Sequence, residues 1–191
     1  KGSTGDQIWF LVARTVGGST VRYIERISDA RYLDSSFTLA DLTSFGATIT
    51  GTSTGLQVTG LTVLTGQAVR ASIAGGDYGS TSSIVVANPF TIPLSYRATT
   101  VTPSATTGSI TVTFDGSDAS SSYVGETIIL SGGGAITLTG YTNTTTMSGT
   151  VITTCSSTSA STWQLVTPLV IGLPYGSTIE PHRVELALRD G

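Results

Sequence analysis

The stretch from Ile8 to Ile27 constrains the fold most strongly, because it reads as two strand-forming runs around a tight turn. The first run is Ile-Trp-Phe-Leu-Val-Ala-Arg-Thr-Val and the second is Ser-Thr-Val-Arg-Tyr-Ile-Glu-Arg-Ile, with Gly17 and Gly18 between them. Two glycines supply the positive φ angles that a two-residue hairpin turn requires. The stretch therefore predicts an antiparallel β-hairpin.

A turn at the glycine pair also fixes the register of this hairpin. The predicted cross-strand pairs are Val16 with Ser19, Val12 with Tyr23 and Trp9 with Arg26. An aromatic ring beside a β-branched residue and an indole beside a guanidinium are both favourable pairs. From the residues alone, this is the hairpin of an ordinary β-sheet core.

Composition extends the β prediction to the whole chain. Its 191 residues include 35 threonines, 25 serines and 23 glycines. Threonine favours pleated, half-buried surfaces and glycine favours turns. The composition is all-β, and the length suffices for one large or two small domains.

Charge and cysteine content exclude several classes of function. Nine basic and 12 acidic residues give a net charge of −3, with no basic patch to neutralise phosphates, so we expect no nucleic-acid partner. Apolar runs are too short to span a membrane, and one cysteine excludes a disulfide framework or a multi-cysteine zinc site. The chain begins Lys-Gly-Ser without a signal-peptide pattern, and we expect it to be a piece of a longer polypeptide.

Between the hairpin and residue 97, short β-rich segments alternate with turn residues. The polar stretch from Ser28 to Ser36 is interpreted as a connector, because it is too short for a stable helix. Strands are predicted around residues 48–52, 56–59, 60–64, 67–73 and 83–87, and residues 75–79 are predicted as a loop. Pro93 lacks a backbone N–H, so its strand should lie at a sheet edge or start after it.

Residues 98–167 differ sharply from the rest in charge. They hold only three of the 21 charged residues (9 basic plus 12 acidic), namely Asp115, Asp118 and Glu126. Strands are predicted at residues 109–114, 126–130, 135–141, 150–155 and 161–165, separated by glycine-rich and serine-rich turns. Five or six short strands of this kind predict a small barrel or sandwich.

Two segments resemble sequences of a family of phage tail proteins. They are the hairpin, QIWFLVARTVGGSTVRYIERI, and DARYLDSS at Asp29–Ser36. This is the tail-nozzle, portal-stabilising or tail tubular family of short-tailed phages. The later segment VTGLTVLTGQAVRASIAGG resembles a strand-turn-strand unit of a small β-sandwich in the same family. The resemblance implies a hairpin that closes a propeller-like region, small β domains after it, and assembly into a six-fold ring.

A second resemblance concerns the low-charge segment. Its residues TFDGSDASSSYVGETIILSG and TWQL resemble the first catalytic cysteine half-domain (FCCH) of ubiquitin-activating enzymes, a small β-barrel. That enzyme activity is not implied, because the chain has no glycine-rich nucleotide loop and no Arg/Lys set for phosphates. In the phage family, the segments around Phe90–Arg97 and Leu169–Gly176 run almost continuously, whereas residues 98–167 separate them here.

The two resemblances together predict the domain organisation. We expect a hairpin from a propeller-like region at 1–27, a β-sandwich host domain at 28–97 plus 168–191, and an inserted FCCH-like β-barrel at 98–167. Such an insertion is tolerated at an exposed hairpin when its two ends lie close together.

Candidate catalytic and metal-binding residues have simpler interpretations. Cys155 has no His, Lys or Arg in its segment to activate it and is interpreted as a small core residue. His182, near Glu180 and Glu185, lacks a second imidazole and is assigned to a surface loop. Asp115–Asp118 lacks the remaining ligands of a calcium loop and is predicted to be a β-turn. We therefore assign no catalytic, metal or cofactor residue and predict no enzyme.

The sequence thus predicts a structural virion component of a phage tail that assembles with copies of itself and with neighbouring tail or portal proteins. Trp9, Arg22 and Arg26 are the candidate assembly residues, and the inserted barrel is expected to project outward.

The alternative is an outward-facing module that binds a receptor or a host surface glycan through exposed aromatic side chains. The candidates for such a platform are Trp163, Tyr141, Tyr123 and Tyr78, although core or turn packing is the favoured interpretation of these rings. An enzyme acting on cell-wall polymer would need a convergent acid pair, and Asp115 and Asp118 are expected to share a turn instead.

Overall fold

The fold is all-β, with a closed barrel beside two open sheets and a separate two-stranded ribbon. The computed structural model describes residues 9–16, 19–26, 34–74, 76–78 and 84–173. The predicted fold class is confirmed.

Sixteen strands are described. The first nine are β1 Trp9–Val16, β2 Ser19–Arg26, β3 Asp34–Thr38, β4 Thr48–Thr52, β5 Gly55–Thr59, β6 Ala68–Ile73, β7 Gly76–Tyr78, β8 Ile84–Val85 and β9 Phe90–Pro93. The remaining seven are β10 Thr100–Pro103, β11 Ser109–Phe114, β12 Thr127–Leu130, β13 Ala135–Asn143, β14 Thr146–Thr153, β15 Ser161–Leu165 and β16 Leu169–Leu173. One α-helix, α1 Leu39–Ser44, and one 3-10 turn, Ser121–Tyr123, complete the described elements.

Strands β1 and β2 form the predicted hairpin, here called the ribbon. The observed pairs include Trp9 with Arg26, Val12 with Tyr23 and Val16 with Ser19, so the predicted register is confirmed. The glycine pair predicted as the turn lies outside the described residues.

Two open sheets share one hydrophobic core, as expected for a sandwich. One sheet has the order β3-β16-β6-β7, with β8 also pairing with β6, and the other has the order β4-β5-β9. Buried residues of both sheets, such as Ile49, Leu56, Val69 and Ile171, belong to one cluster, here called the sheet core. Strand β9 lies at the edge of its sheet, as Pro93 predicted.

Helix α1 was not predicted, and its N-terminal cap explains why so short a helix forms. The Thr38 hydroxyl accepts the Asp41 N–H at 3.3 Å, and the Asp41 carboxylate accepts the Thr38 N–H at 2.8 Å. This reciprocal capping box satisfies two backbone donors that the first turn leaves free. Leu42 is buried in the sheet core and ties the helix to it.

Three further predictions for the open sheets were wrong. Asp34–Ser36, interpreted as connector, lies in β3, because β16 provides a pairing partner. Residues 61–64 form a loop and turn in which Leu61 and Leu64 are buried without being in a strand. Residues 76–78, predicted as part of a loop, form β7 by pairing with β6.

The barrel closes in the order β10-β11-β14-β13-β12-β15, with every neighbouring pair antiparallel. Strands β11 and β15 have the predicted bounds, whereas β14 begins earlier and ends earlier than predicted. The barrel core includes Phe114, Leu138 and Trp163. All six strands fall within residues 98–167, and the proposed division into domains stays a prediction.

Strand β12 belongs to both cores. Ile128 and Leu130 contribute to the barrel core, whereas Ile129 between them contributes to the sheet core. All four residues of β12 are buried. Side chains alternate between the two faces of a strand, so β12 is covered on both faces. The barrel is therefore packed directly onto the open sheets.

Candidate assembly surface

The three candidate assembly residues occupy one face of the ribbon. Alternation along paired strands places positions 9, 22 and 26 on the same face, together with Ala13, which pairs with Arg22. Ala13, Thr20 and Arg22 are exposed, and all three belong to this face. The side chains of Trp9 and Arg26 lie outside the described residues, as does the predicted indole–guanidinium contact.

The ribbon forms a two-stranded sheet with no third strand among the described residues. Isolated two-stranded hairpins are marginally stable in water and need a third strand or a packed face. The ribbon is rich in Trp, Phe, Leu, Val, Tyr and Ile. Its stability therefore requires contacts beyond the pairing of β1 with β2.

One end of the barrel carries all of its charged residues. Because neighbouring strands are antiparallel, the end of β11, the starts of β12 and β14 and the end of β15 meet there. Residues 115–126 and the turn at 144–145 form this acidic end. Asp115 is exposed, and Asp118 and Glu126 are half-buried. Val124 and Tyr141 add exposed apolar surface nearby, at 45% and 41% exposure.

Residues 115–117 form bends where a β-turn was predicted, and hydrogen bonds to residues 99 and 100 hold Asp115 and Asp118 in place. The Asp115 N–H donates to the Thr100 carbonyl at 2.8 Å, and the Thr99 hydroxyl donates to the Asp118 carboxylate. Across the described part of the chain, no group of three His, Cys, Asp or Glu side chains is arranged to hold a metal ion.

Arg97 covers the aromatic side chains at the same end of the barrel. Its guanidinium carbon lies 4.4 Å from the centre of the Trp163 ring and 5.6 Å from that of Tyr123. Nη1 donates to the Tyr123 hydroxyl at 3.2 Å, and the Arg97 N–H donates to the Trp163 carbonyl at 2.9 Å. A cation over an aromatic face is attracted by the ring quadrupole. Sequence reasoning missed this stack, because only barrel closure brings residues 97, 123 and 163 together.

The candidate aromatic residues do not form one exposed platform. Trp163 is fully buried and makes edge-on contact with Phe114, with ring centres 5.1 Å apart. Tyr123 is half-buried against it, whereas Tyr141 is exposed. The side chain of Tyr78 lies outside the described residues. Core packing, the favoured interpretation, is confirmed for Trp163.

The single cysteine is a core residue of the barrel. Cys155 is 2% exposed, and burial raises the pKa of its thiol. A buried thiol with a raised pKa has little thiolate character and is a poor nucleophile. The interpretation of Cys155 as a small core residue is confirmed. His182, Glu180 and Glu185 lie outside the described residues.

The opposite end of the barrel is fastened to β4 by backbone and threonine groups. The Gly51 N–H donates to the Gly134 carbonyl at 3.2 Å, and the Gly134 N–H donates to the Thr50 hydroxyl at 2.9 Å. The Thr153 hydroxyl donates to the Ile49 carbonyl at 2.6 Å. These bonds and the shared strand β12 fix the barrel to the open sheets at several points.

Comparison with known proteins does not place the chain in a family. A scan against family models, a search of curated proteins and a search of solved structures each found no match to it. Within the described ranges, no helix is long and apolar enough to cross a membrane.

Proposed function

We propose that this chain is a structural component of a phage tail, of the nozzle or portal-stabilising type, which assembles with copies of itself. The observation that carries the proposal is the ribbon. It is a two-stranded sheet rich in apolar residues, and one of its faces exposes Ala13, Thr20 and Arg22. A surface of this kind is stabilised by docking against a neighbouring subunit.

The composition of that face also supports a contact between proteins. Trp9, Arg22 and Arg26 share the face by register, and Trp and Arg are enriched among the residues that dominate binding energy at interfaces. Four elements of the proposal rest on the sequence resemblance. They are the phage tail, the location in the virion, the six-fold ring and the neighbouring tail or portal proteins.

The rest of the fold suits a rigid structural subunit. Strand β12 is buried between two cores, and hydrogen bonds join β4 to the far end of the barrel. A packed interior resists deformation and transmits strain. A subunit in a tail needs that rigidity to hold its contacts in register.

Light scattering across a concentration series tests the proposal. We expect the molar mass to rise toward a closed ring as the concentration increases. Arg22→Glu should lower the mass at every concentration, because it reverses a charge on the exposed face. Arg14→Glu is the matched control, since position 14 lies on the other face of the ribbon. A protein that stays monomeric at all concentrations would contradict self-assembly through these residues.

A further inference from the structure

The chain divides into a basic ribbon and an acidic remainder. Strands β1 and β2 contain three arginines and one glutamate, a net charge of +2. The whole chain has a net charge of −3, so the remaining residues sum to −5. Complementary potentials on two surfaces steer their encounter and fix their register. The charge distribution therefore favours contact between the ribbon and another part of a copy of this chain.

The basic charge of the ribbon is concentrated on its exposed face. Positions 22 and 26 carry arginine, and Glu25 falls on the other face because it pairs with Phe10. The exposed face therefore combines two arginines and a tryptophan with no acidic residue. It suits a partner surface that offers carboxylates beside apolar side chains.

The acidic end of the barrel has those properties. It carries the exposed Asp115 and the half-buried Asp118 and Glu126, and it exposes Val124 and Tyr141. Among the described residues, the cation at this end of the barrel is Arg97, which is engaged with Tyr123 and Trp163. Among the side chains that the structure describes, neither Arg22 nor Asp115 has an ion-pair partner.

We propose that the exposed ribbon face of one copy binds the acidic end of the barrel of the next copy. The inference rests on the proposed function and names the two surfaces of the subunit contact. Two different surfaces make the contact heterologous, and a heterologous contact generates a ring when its rotation closes. This differs from the sequence-based expectation that the barrel projects away from the subunit contacts.

A charge-swap experiment tests the pairing. Arg22→Glu sets a carboxylate against the acidic end, and Asp115→Arg sets a guanidinium against the ribbon. We expect each variant to need a concentration about ten-fold higher or more to assemble, as for close charge pairs at other interfaces. Mixing the two variants should restore assembly, because every contact then joins opposite charges. The double variant Arg22→Glu/Asp115→Arg should assemble for the same reason.

Two controls separate this pairing from a general effect of charge. Arg14→Glu makes the same charge change on the other ribbon face, and Thr158→Arg adds a positive charge at the opposite end of the barrel, where Thr158 is exposed. Both should assemble like the wild type. Circular dichroism of each variant checks the fold, and Arg22→Gln with Asp115→Asn repeats the test with smaller changes.

The outcomes distinguish this inference from the proposed function. If the wild type assembles and Asp115→Arg assembles equally well, the barrel is not the counter-surface, and the inference fails while self-assembly stands. The same holds if mixing two folded, monomeric variants restores nothing. If the wild type never assembles, both proposals fail.

Discussion

The closed barrel and the open sheets are built from similar residues but deal with strand edges differently. In the barrel, each of six strands is hydrogen-bonded on both sides, so no edge remains. The open sheets end in strands such as β3, β4 and β9, where unpaired backbone groups must be blunted or covered. Pro93 removes one backbone N–H donor from β9, and the barrel bridges to β4 through Gly51 and Gly134.

The two regions also differ in how far apart in sequence their partners lie. Three of the six barrel pairs join consecutive strands, such as β13 with β14, and all six lie within residues 100–165. In the open sheets, β16 follows the barrel strands in the sequence, yet it pairs with β3 and β6, which precede them. Closing the barrel therefore helps to bring the parts of the open sheets together. The comparison suggests that the two regions fold as one cooperative unit, joined through β12.

The largest expected losses of stability come from two neighbouring residues of β12, one in each core. Ile128→Ala and Ile129→Ala each remove a fully buried side chain, the first from the barrel core and the second from the sheet core. Each should lower the free energy of unfolding by about 2 to 5 kcal/mol. Urea denaturation measures both. If the regions are one unit, each variant shifts a single transition, whereas an early partial transition in either variant would break the comparison.

The second prediction concerns the close approach of β4 to the barrel. A Cβ atom on Gly51 would lie 1.9 Å from the Leu130 carbonyl oxygen, so Gly51→Ala must force the two backbones apart. We expect a loss of about 3 kcal/mol, at the upper end of what overpacking costs. Thermal unfolding measures it. Gly140→Ala is the control, because its Cβ would meet the nearest atom, Ser148 Cβ, at an ordinary 3.7 Å. Equal melting temperatures for the two variants would contradict the contact.

The third prediction tests the stack at the acidic end. Arg97→Ala removes the cation over Trp163 and Tyr123, and we expect a loss of about 1 to 2 kcal/mol for this half-buried pair. Arg97→Lys keeps the charge without the planar group and should lose less. Chemical denaturation followed by tryptophan fluorescence measures both variants. Indistinguishable stabilities for the wild type and Arg97→Ala would show that the stack contributes nothing.

The smallest expected effect comes from one hydroxyl between the two regions. Thr153→Val removes the donor to the Ile49 carbonyl and should lower the free energy of unfolding by about 1 kcal/mol. Thr150→Val is the matched control on the same strand, because its exposed hydroxyl bonds to no described group; its change should stay within about 0.5 kcal/mol. Parallel denaturant titrations give the difference, and a cost at Thr150 equal to that at Thr153 would argue against the bond.

The part of the fold that could be predicted from the sequence is the part with local sequence patterns. Strands such as β11 could be predicted, because Ser109–Phe114 strictly alternates polar and apolar residues, which became exposed and buried residues in the fold. The hairpin register follows from the position of a glycine pair. By comparison, β7 contains Gly76 and has little intrinsic strand preference, so only its pairing with β6 makes it a strand.

Two features had local signals that the sequence analysis did not use. Thr38 followed by Asp41 three positions later is a capping-box pattern, and it marks the start of α1. The consecutive apolar residues Ile128, Ile129 and Leu130 indicate a strand covered on both faces. The Arg97 stack and the gathering of Asp115, Asp118 and Glu126 at one barrel end had no such signal, since both depend on barrel closure.

Hydrogen exchange at increasing urea concentration, read by mass spectrometry, tests most directly whether the barrel and the open sheets are one body. The peptides to compare cover β5 in the sheets and β11 in the barrel. We predict that both lose protection with the same free energy of opening and the same urea dependence, because β12 is shared between their cores. A barrel that stays protected after β5 has opened would contradict the account and make the barrel an independent module.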